Sequence, residues 1–242
     1  MLSLAASLAA SYCFASGGLS MLAAGAAWYA VANILDCADG QLARVQGSGT
    51  PNGRFVDGIA DYVGTVAIFL GIGIGFSWLG MNLWAETVVA GLSSAIHAMI
   101  FDHRQNSFIA ASRGDNGFHE REMTKHSSGG PGGGTPGLGG AISRLYVGYM
   151  RFQARVISRF LPPREGGIHP ENAAEDATMI RLWSYLGPTT NRTALIAFAL
   201  VGRIDIFLWA VIVPGNLWLA GVWYLQRRID RRPAVRIPDI PA

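Results

Sequence analysis

The chain has 242 residues, of which 50% are hydrophobic and only 14% are charged. Soluble domains carry about 25% charged residues, so the composition argues against a soluble globular protein and favours a membrane protein. The net charge is a modest +3, and the absence of a basic stripe with interleaved aromatic residues argues against a nucleic-acid partner.

The apolar residues form six blocks separated by charged segments, which predicts an all-α integral membrane protein with six transmembrane helices. The predicted spans cover residues 2–16, 19–35, 55–78, 83–101, 190–202 and 206–225. A helix needs about 20 residues to cross the hydrocarbon core, so the first, second and fifth spans are short. Pro214 and Gly215 interrupt the sixth span. We expect residues 1–242 to form a single membrane domain.

The longest polar region, residues 102–188, is predicted to be mainly a long cytoplasmic loop. Within it, residues 143–161 carry apolar residues at steps of three or four, and Arg151, Arg155 and Arg159 at steps of four. This pattern predicts an amphipathic helix that either lies on an anionic membrane surface or packs on the spans with its arginines in solvent. Residues 173–186 predict a further helix before Gly187 and Pro188.

The basic residues predict the orientation of the chain in the membrane. Six spans place both termini on one side, and among the 19 Lys and Arg residues only Arg203 falls on the other side. Because cytoplasmic loops carry the excess of positive charge, both termini and the long loop are expected to be cytoplasmic. In a bacterium the membrane would be the inner, or plasma, membrane.

Four aspartates lie just after the second span and in the first two turns of the third. Asp36 and Asp39 are three residues apart, and Asp57 and Asp61 are four apart, so on helices each pair shares a face. If the two helix ends meet, four carboxylates converge, and they cannot all stay ionised unless cations neutralise them. Oxygen ligands favour hard divalent ions such as Mg²⁺ or Mn²⁺. The stretch therefore predicts a metal site at the membrane edge.

The same stretch resembles the signature of the CDP-alcohol phosphotransferase (CDP-alcohol phosphatidyltransferase) family, D-x₂-D-G-x₂-A-R-x₈-G-x₃-D-x₃-D. The residues at its eight fixed positions are Asp36, Asp39, Gly40, Ala43, Arg44, Gly53, Asp57 and Asp61. If each residue type is used at about 5–8%, the probability that all eight positions match by chance from a given starting residue is on the order of one in a billion. The signature spans 26 residues, and the six predicted spans extend the resemblance weakly to the rest of the chain.

The resemblance implies an enzyme of phospholipid biosynthesis. It would transfer a phosphatidyl group from CDP-diacylglycerol to a small polar alcohol and release CMP. The resemblance also implies two divalent metal ions, Mg²⁺ or Mn²⁺, with Asp36, Asp39 and Asp57 as ligands and Asp61 as both ligand and general base. The implied partners are a CDP-linked lipid donor, an alcohol acceptor and membrane lipids, and the implied assembly is a homodimer.

The remaining signature positions imply a site for the CDP moiety. By the resemblance, Gly40 and Ala43 would let the cytidine approach the backbone closely, and Arg44 would contact the donor phosphate or the cytosine. Gly53 would allow tight packing where the second and third spans meet.

Four further residues are candidates for the acceptor pocket: His97, Arg104, Arg113 and Arg192. The three arginines lie near cytoplasmic ends of predicted spans, where they would bind the phosphate of a phosphorylated acceptor or simply anchor the spans. A polar residue inside a span, such as His97, is often functional, and the alternative is a hydrogen bond across helices.

Two alternative functions are open at this point. A CDP-choline or CDP-ethanolamine transferase would use the same signature with diacylglycerol as the acceptor. A divalent-cation transporter, which belongs to a different class, would need acids along a continuous pathway through the bilayer. The four aspartates cluster at one end of their spans, which disfavours the transporter.

Overall fold

The computed structural model of the protein describes residues 2–45, 51–112, 148 and 173–230, and every regular element in these residues is helical. The helices are α1 (Leu2–Ser16), α2 (Leu19–Val45), α3 (Pro51–Trp78), α4 (Trp84–Ser112), α5 (Ala173–Ser184), α6 (Pro188–Leu200), α7 (Ile204–Ala210), a π-helical segment (Val211–Gly215) and α8 (Asn216–Asp230). The predicted all-α class is confirmed for this part of the chain.

Among the residues that the structure describes, four helical segments are long and apolar enough to cross a membrane. They are Leu19–Asp39, Ala60–Trp78, Trp84–Ile109 and Ile204–Asp230. Helices α1 and α6 have 15 and 13 residues, so at 1.5 Å per residue they are about 20 Å long, against a hydrocarbon core of about 30 Å. The chain is therefore a multi-pass membrane protein, and the count of six spans stays a prediction.

Three helices extend beyond the predicted spans. Helix α2 continues to Val45, α3 begins at Pro51, and α4 continues to Ser112. Hydropathy marks where apolar side chains end, whereas the backbone hydrogen bonds of a helix continue into polar sequence. Residues 102–112 are thus helical and do not belong to the predicted loop. The predicted helix at 143–161 lies outside the described residues, except for helical Gly148.

Helices α1 and α3 pack through small residues. A Cβ atom at Gly71 would overlap the carbonyl oxygen of Ser11, and one at Gly75 would overlap that of Phe14. The Ser11 hydroxyl also donates a hydrogen bond to the carbonyl of Ala67. Close backbone approach of this kind is the usual way in which helices associate in membranes, and here it fixes α3 against α1.

Helices α2, α6 and α7 complete this core. Tyr29, Leu195, Phe207 and Leu208 are buried together with the α1 and α3 residues. Helix α6 packs along α2, while α4 contacts α3, α5, α6 and α7. This packing brings the first turns of α6 beside the second half of α2.

The last span accommodates Pro214 through a π-helical segment. Proline lacks an N–H and its ring clashes with the preceding turn, and a local π register relieves this conflict. The Asn216 amide donates to the carbonyl of Ile212 (2.8 Å) and to Ser93 Oγ (3.0 Å). The predicted interruption at Pro214 and Gly215 is therefore a change of helical register within a continuous helix.

Helix α5 packs on α4 and α8. Trp183 is fully buried beside Met179 and Val222, and its indole N–H donates to Gln226 Oε1 at 3.1 Å. Helix α5 ends at Ser184, and α6 starts at Pro188 after an extended Gly187. The helix predicted at 173–186 and the break after it are confirmed, with a difference of two residues at the end.

Candidate functional site

Both pairs of signature aspartates lie on helices, as their spacing predicts. Asp36 and Asp39 belong to α2, and Asp57 and Asp61 belong to α3. The remaining side chains of the signature lie outside the described ones: Gly40, Ala43, Arg44, Gly53 and Asp57. The described part of the site therefore consists of Asp36, Asp39, Asp61 and the residues that surround them.

A single arginine from the second half of the chain connects the two acidic helices. Arg192, in the second turn of α6, places Nη1 2.8 Å from Asp36 Oδ2. Its Nη2 forms a second, shorter ion pair with Asp61 Oδ1. The carboxylates of α2 and α3 thus converge on one guanidinium, as expected if the two helix ends meet around positive charge.

The ion-paired groups differ in exposure. The side chain of Arg192 is 10% exposed, against 30% for Asp36 and 45% for Asp61. An arginine side chain stays protonated under all ordinary conditions. The guanidinium therefore reaches the acids from inside the bundle, while both carboxylates keep a side that solvent or a ligand can reach.

Two residues that the sequence analysis missed also belong to this cluster. Tyr29 is buried on α2, hydrogen-bonds Arg192 and interacts electrostatically with both acids. Asp102, on α4, interacts electrostatically with Asp61 and Arg192. Tyr29 had a signal in the sequence, since it precedes Asp36 by seven residues and so shares its helix face. Asp102 had none beyond its position at the end of an apolar block.

One face of α2 presents oxygen atoms at consecutive turns. Asn33 lies one turn before Asp36, and its buried Oδ1 has no hydrogen-bond partner among the described residues. Asp39 lies one turn after Asp36 and is exposed. Buried polar atoms are almost always paired, and Asn33 Oδ1 is an exception that lies one helical turn from Asp36.

The chemistry of these residues fits a hard divalent cation. The donors are carboxylate oxygens, which Mg²⁺ and Mn²⁺ prefer, and Asp36 and Asp61 already share one cationic group. Within the ranges that the structure describes, no three histidine, cysteine or acidic residues are close enough to form a metal site by themselves. The Asp57 side chain, which would be a ligand by the resemblance, lies outside those ranges.

The four acceptor-pocket candidates occupy different places. Arg192 contacts the two acids. His97 is buried, and its Nε2 lies 3.1 Å from Asn216 Oδ1. This contact is a hydrogen bond across helices, the alternative to a role in the acceptor pocket. Arg104 lies over the ring of Trp183 and 3.9 Å from Asp230. Arg113 lies outside the described residues.

Comparison with known proteins gives one match. Residues 1–120 match the family model described as CDP-alcohol phosphatidyltransferase. The match includes α1 to α4 and all eight signature positions, and it ends before α6 and Arg192. Neither the curated proteins nor the solved structures yield a match to this chain.

Proposed function

The chain belongs to the CDP-alcohol phosphatidyltransferase family, a family of transferases, and from that premise we propose that it transfers a phosphatidyl group from CDP-diacylglycerol to a small polar alcohol. The observation that carries the proposal is the complete signature from Asp36 to Asp61, two of whose acids meet at one cationic group. The product would be a phospholipid, and CMP would leave.

In the proposed reaction, the four aspartates of the signature have distinct tasks. Asp36, Asp39 and Asp57 would hold the divalent ions, and Asp61 would both bind metal and take the proton from the attacking hydroxyl. The new bond joins the acceptor oxygen to the phosphatidyl phosphorus, and the bond to the CMP oxygen breaks. When bound, Mg²⁺ or Mn²⁺ supplies positive charge to the pyrophosphate oxygens and to the leaving group. A carboxylate serves as the base if its affinity for protons is matched to the working pH.

We propose that Gly40, Ala43, Arg44 and Gly53 bind or accommodate the CDP moiety, as the resemblance implies. For the acceptor, the position of Arg192 beside the acids supports a role in the pocket. His97 and Arg104 have other partners in the bundle, so their proposed acceptor roles have less support, and Arg113 remains a prediction.

The arrangement also suggests how the protein sits in its membrane. We propose that the acids open to the cytoplasm, because nearly all basic residues fall on that side of the predicted spans. Lipid tails would then stay in hydrocarbon while the nucleotide reaches the site from water. A homodimer is part of the proposal, and light scattering of the purified protein in detergent measures its mass.

One assay tests the proposed reaction directly. Purified protein is mixed with CDP-diacylglycerol, Mg²⁺ or Mn²⁺ and a series of small alcohols, and CMP and labelled lipid are measured. We expect CMP release that requires both the metal and one class of alcohol, and that EDTA abolishes. Asp205→Asn serves as a control that keeps activity, because Asp205 lies at the start of α7, beyond the end of α6 that is distant from the acids.

The alternatives give different results in the same experiment. Consumption of CDP-choline or CDP-ethanolamine with diacylglycerol as acceptor would show that the lipid is the acceptor and that the small alcohol is carried by the CDP-linked donor. Metal uptake into sealed vesicles, without CMP formation from any CDP-linked substrate, would replace the transferase with a cation transporter.

A further inference from the structure

We propose that Arg192 competes with divalent ions for Asp36 and Asp61, which it contacts, and so lowers the affinity of the site for metal. The inference rests on the proposed function, since it assumes that these two acids are metal ligands. It assigns to α6, which lies beyond the match to the family model, a direct influence on the affinity of the site for metal.

The guanidinium of Arg192 lies between acids that belong to two different helices. Its two terminal nitrogens contact one oxygen of Asp36 and one of Asp61. A divalent ion that bridges these two oxygens would approach them to about 2.1 Å, so it would compete with the guanidinium for the space between the acids.

The charge of Arg192 acts on the metal site as well. Arg192 keeps its charge, and it sits in a largely buried position where screening by water and salt is weak. A unit charge held close to a divalent ion opposes its binding. Before the ion arrives, however, the same charge offsets the repulsion between Asp36 and Asp61. Arg192 would therefore stabilise the metal-free state and weaken metal binding.

The test is metal affinity, which needs no substrate. Mn²⁺ binding to purified wild-type protein and to Arg192→Gln is measured by electron paramagnetic resonance or calorimetry. We expect Arg192→Gln to bind Mn²⁺ about tenfold more tightly, because a repulsive unit charge at close range has been removed. Equal or weaker binding by Arg192→Gln would overturn the proposal and make Arg192 an orienting residue.

A second variant of Arg192 and a control arginine away from the site test whether the change in Mn²⁺ affinity is specific to Arg192. Arg192→Lys keeps the charge but loses the two-pronged geometry, so we expect it to bind Mn²⁺ more tightly than wild type and less tightly than Arg192→Gln. It decides the matter if Arg192→Gln does not fold, and binding no tighter than wild type then overturns the proposal. Arg203→Gln removes an arginine that is more exposed than Arg192 and pairs with Asp205 at 2.9 Å beyond the far end of α6. Its Mn²⁺ affinity should match wild type, and an equal gain there would make the effect one of general charge.

The same measurement separates this inference from the proposed function. Asp36→Asn should lose Mn²⁺ affinity. If wild type binds no Mn²⁺, or if Asp36→Asn binds it as wild type does, the metal centre itself is wrong and the role of Arg192 is wrong with it. If wild type binds Mn²⁺ through Asp36 and Arg192→Gln gains nothing, only the role of Arg192 is wrong.

Discussion

Arg192 Nη1 lies 2.8 Å from Asp36 Oδ2, although 156 residues separate them in the chain. The contact joins α6, from the second half of the protein, to the first acid of the signature on α2. Together with the pair between Arg192 and Asp61, it connects the matched region of residues 1–120 to α6 through charge, as the pair between Arg104 and Asp230 connects α4 to α8. The acidic centre is therefore built by both halves of the chain.

This contact should be measurable as a coupling in the metal-free protein. We expect Asp36→Asn and Arg192→Gln each to lower stability in EDTA, and the double variant to lose less than the sum of the two. The coupling should be about 0.5–3 kcal/mol, the range for residues in direct contact. The measurement is unfolding in detergent for all four proteins. Strict additivity would mean that the ion pair does not form in solution.

Asp61 and Asp57 should differ in how they support the reaction. We expect Asp61→Asn to abolish turnover, with a loss of about 10²–10⁴ from the missing base alone, while Mn²⁺ binding falls less than in Asp57→Asn. Turnover and Mn²⁺ affinity are measured on both variants. Equal loss of metal from the two would remove the distinct role of Asp61 as a base.

The sequence predicted which helices carry the acids of this site, but it did not predict which residues of the other helices contact them. The spacing of Asp36 and Asp39, and of Asp57 and Asp61, predicted helical placement, and both pairs lie on helices. Apolar blocks predicted where helices run, because burial in lipid leaves a compositional trace. That trace ends at the membrane edge. For this reason the predicted spans stop several residues before the ends of α2 and α4, and the third begins several residues after the start of α3.

The contacts around Arg192 could not be read from the chain in the same way. Nothing in the sequence near Arg192 distinguishes it from Arg104, which pairs instead with Asp230 and lies over Trp183. The difference arises from tertiary packing of α6 on α2, and packing between distant helices has no periodic signal. His97 illustrates the same limit, because its partner Asn216 is 119 residues away.

The close approach of α1 and α3 should make Gly71 intolerant of even a methyl group. In Gly71→Ala the new Cβ would overlap the carbonyl oxygen of Ser11, and overpacking of this kind costs about 1–3 kcal/mol. This exceeds the gain of up to about 1 kcal/mol that alanine offers over glycine in a helix. We expect a lower midpoint of thermal unfolding in detergent.

Gly221 provides the matched control for that substitution. A Cβ at Gly221, on α8, would meet no atom within 4 Å among the described residues. Gly221→Ala should leave the unfolding midpoint unchanged or raise it slightly, because only helix propensity changes. A similar loss in both variants would show that the contact between α1 and α3 is not the cause.

The polar cluster around the π-helical segment should stabilise the last span. Asn216 donates to the Ile212 carbonyl and to Ser93, and its Oδ1 pairs with His97. Asn216→Leu keeps the branched shape of the side chain but leaves these buried groups without their partner. Because interhelical hydrogen bonds in membranes contribute about 0.6–2 kcal/mol, we expect a loss of that order in unfolding free energy.

The same exchange at Asn82 tests whether the effect is local. Asn82 is exposed in the turn between α3 and α4, so Asn82→Leu removes an amide that water already satisfies and should change the unfolding free energy little. Ser93→Ala removes one of the acceptors of Asn216 and should lose part of what Asn216→Leu loses. If Asn216→Leu is as stable as wild type, the kink at Pro214 is stabilised by packing alone, and the cluster of His97, Ser93 and Asn216 has no role in holding the register of the helix.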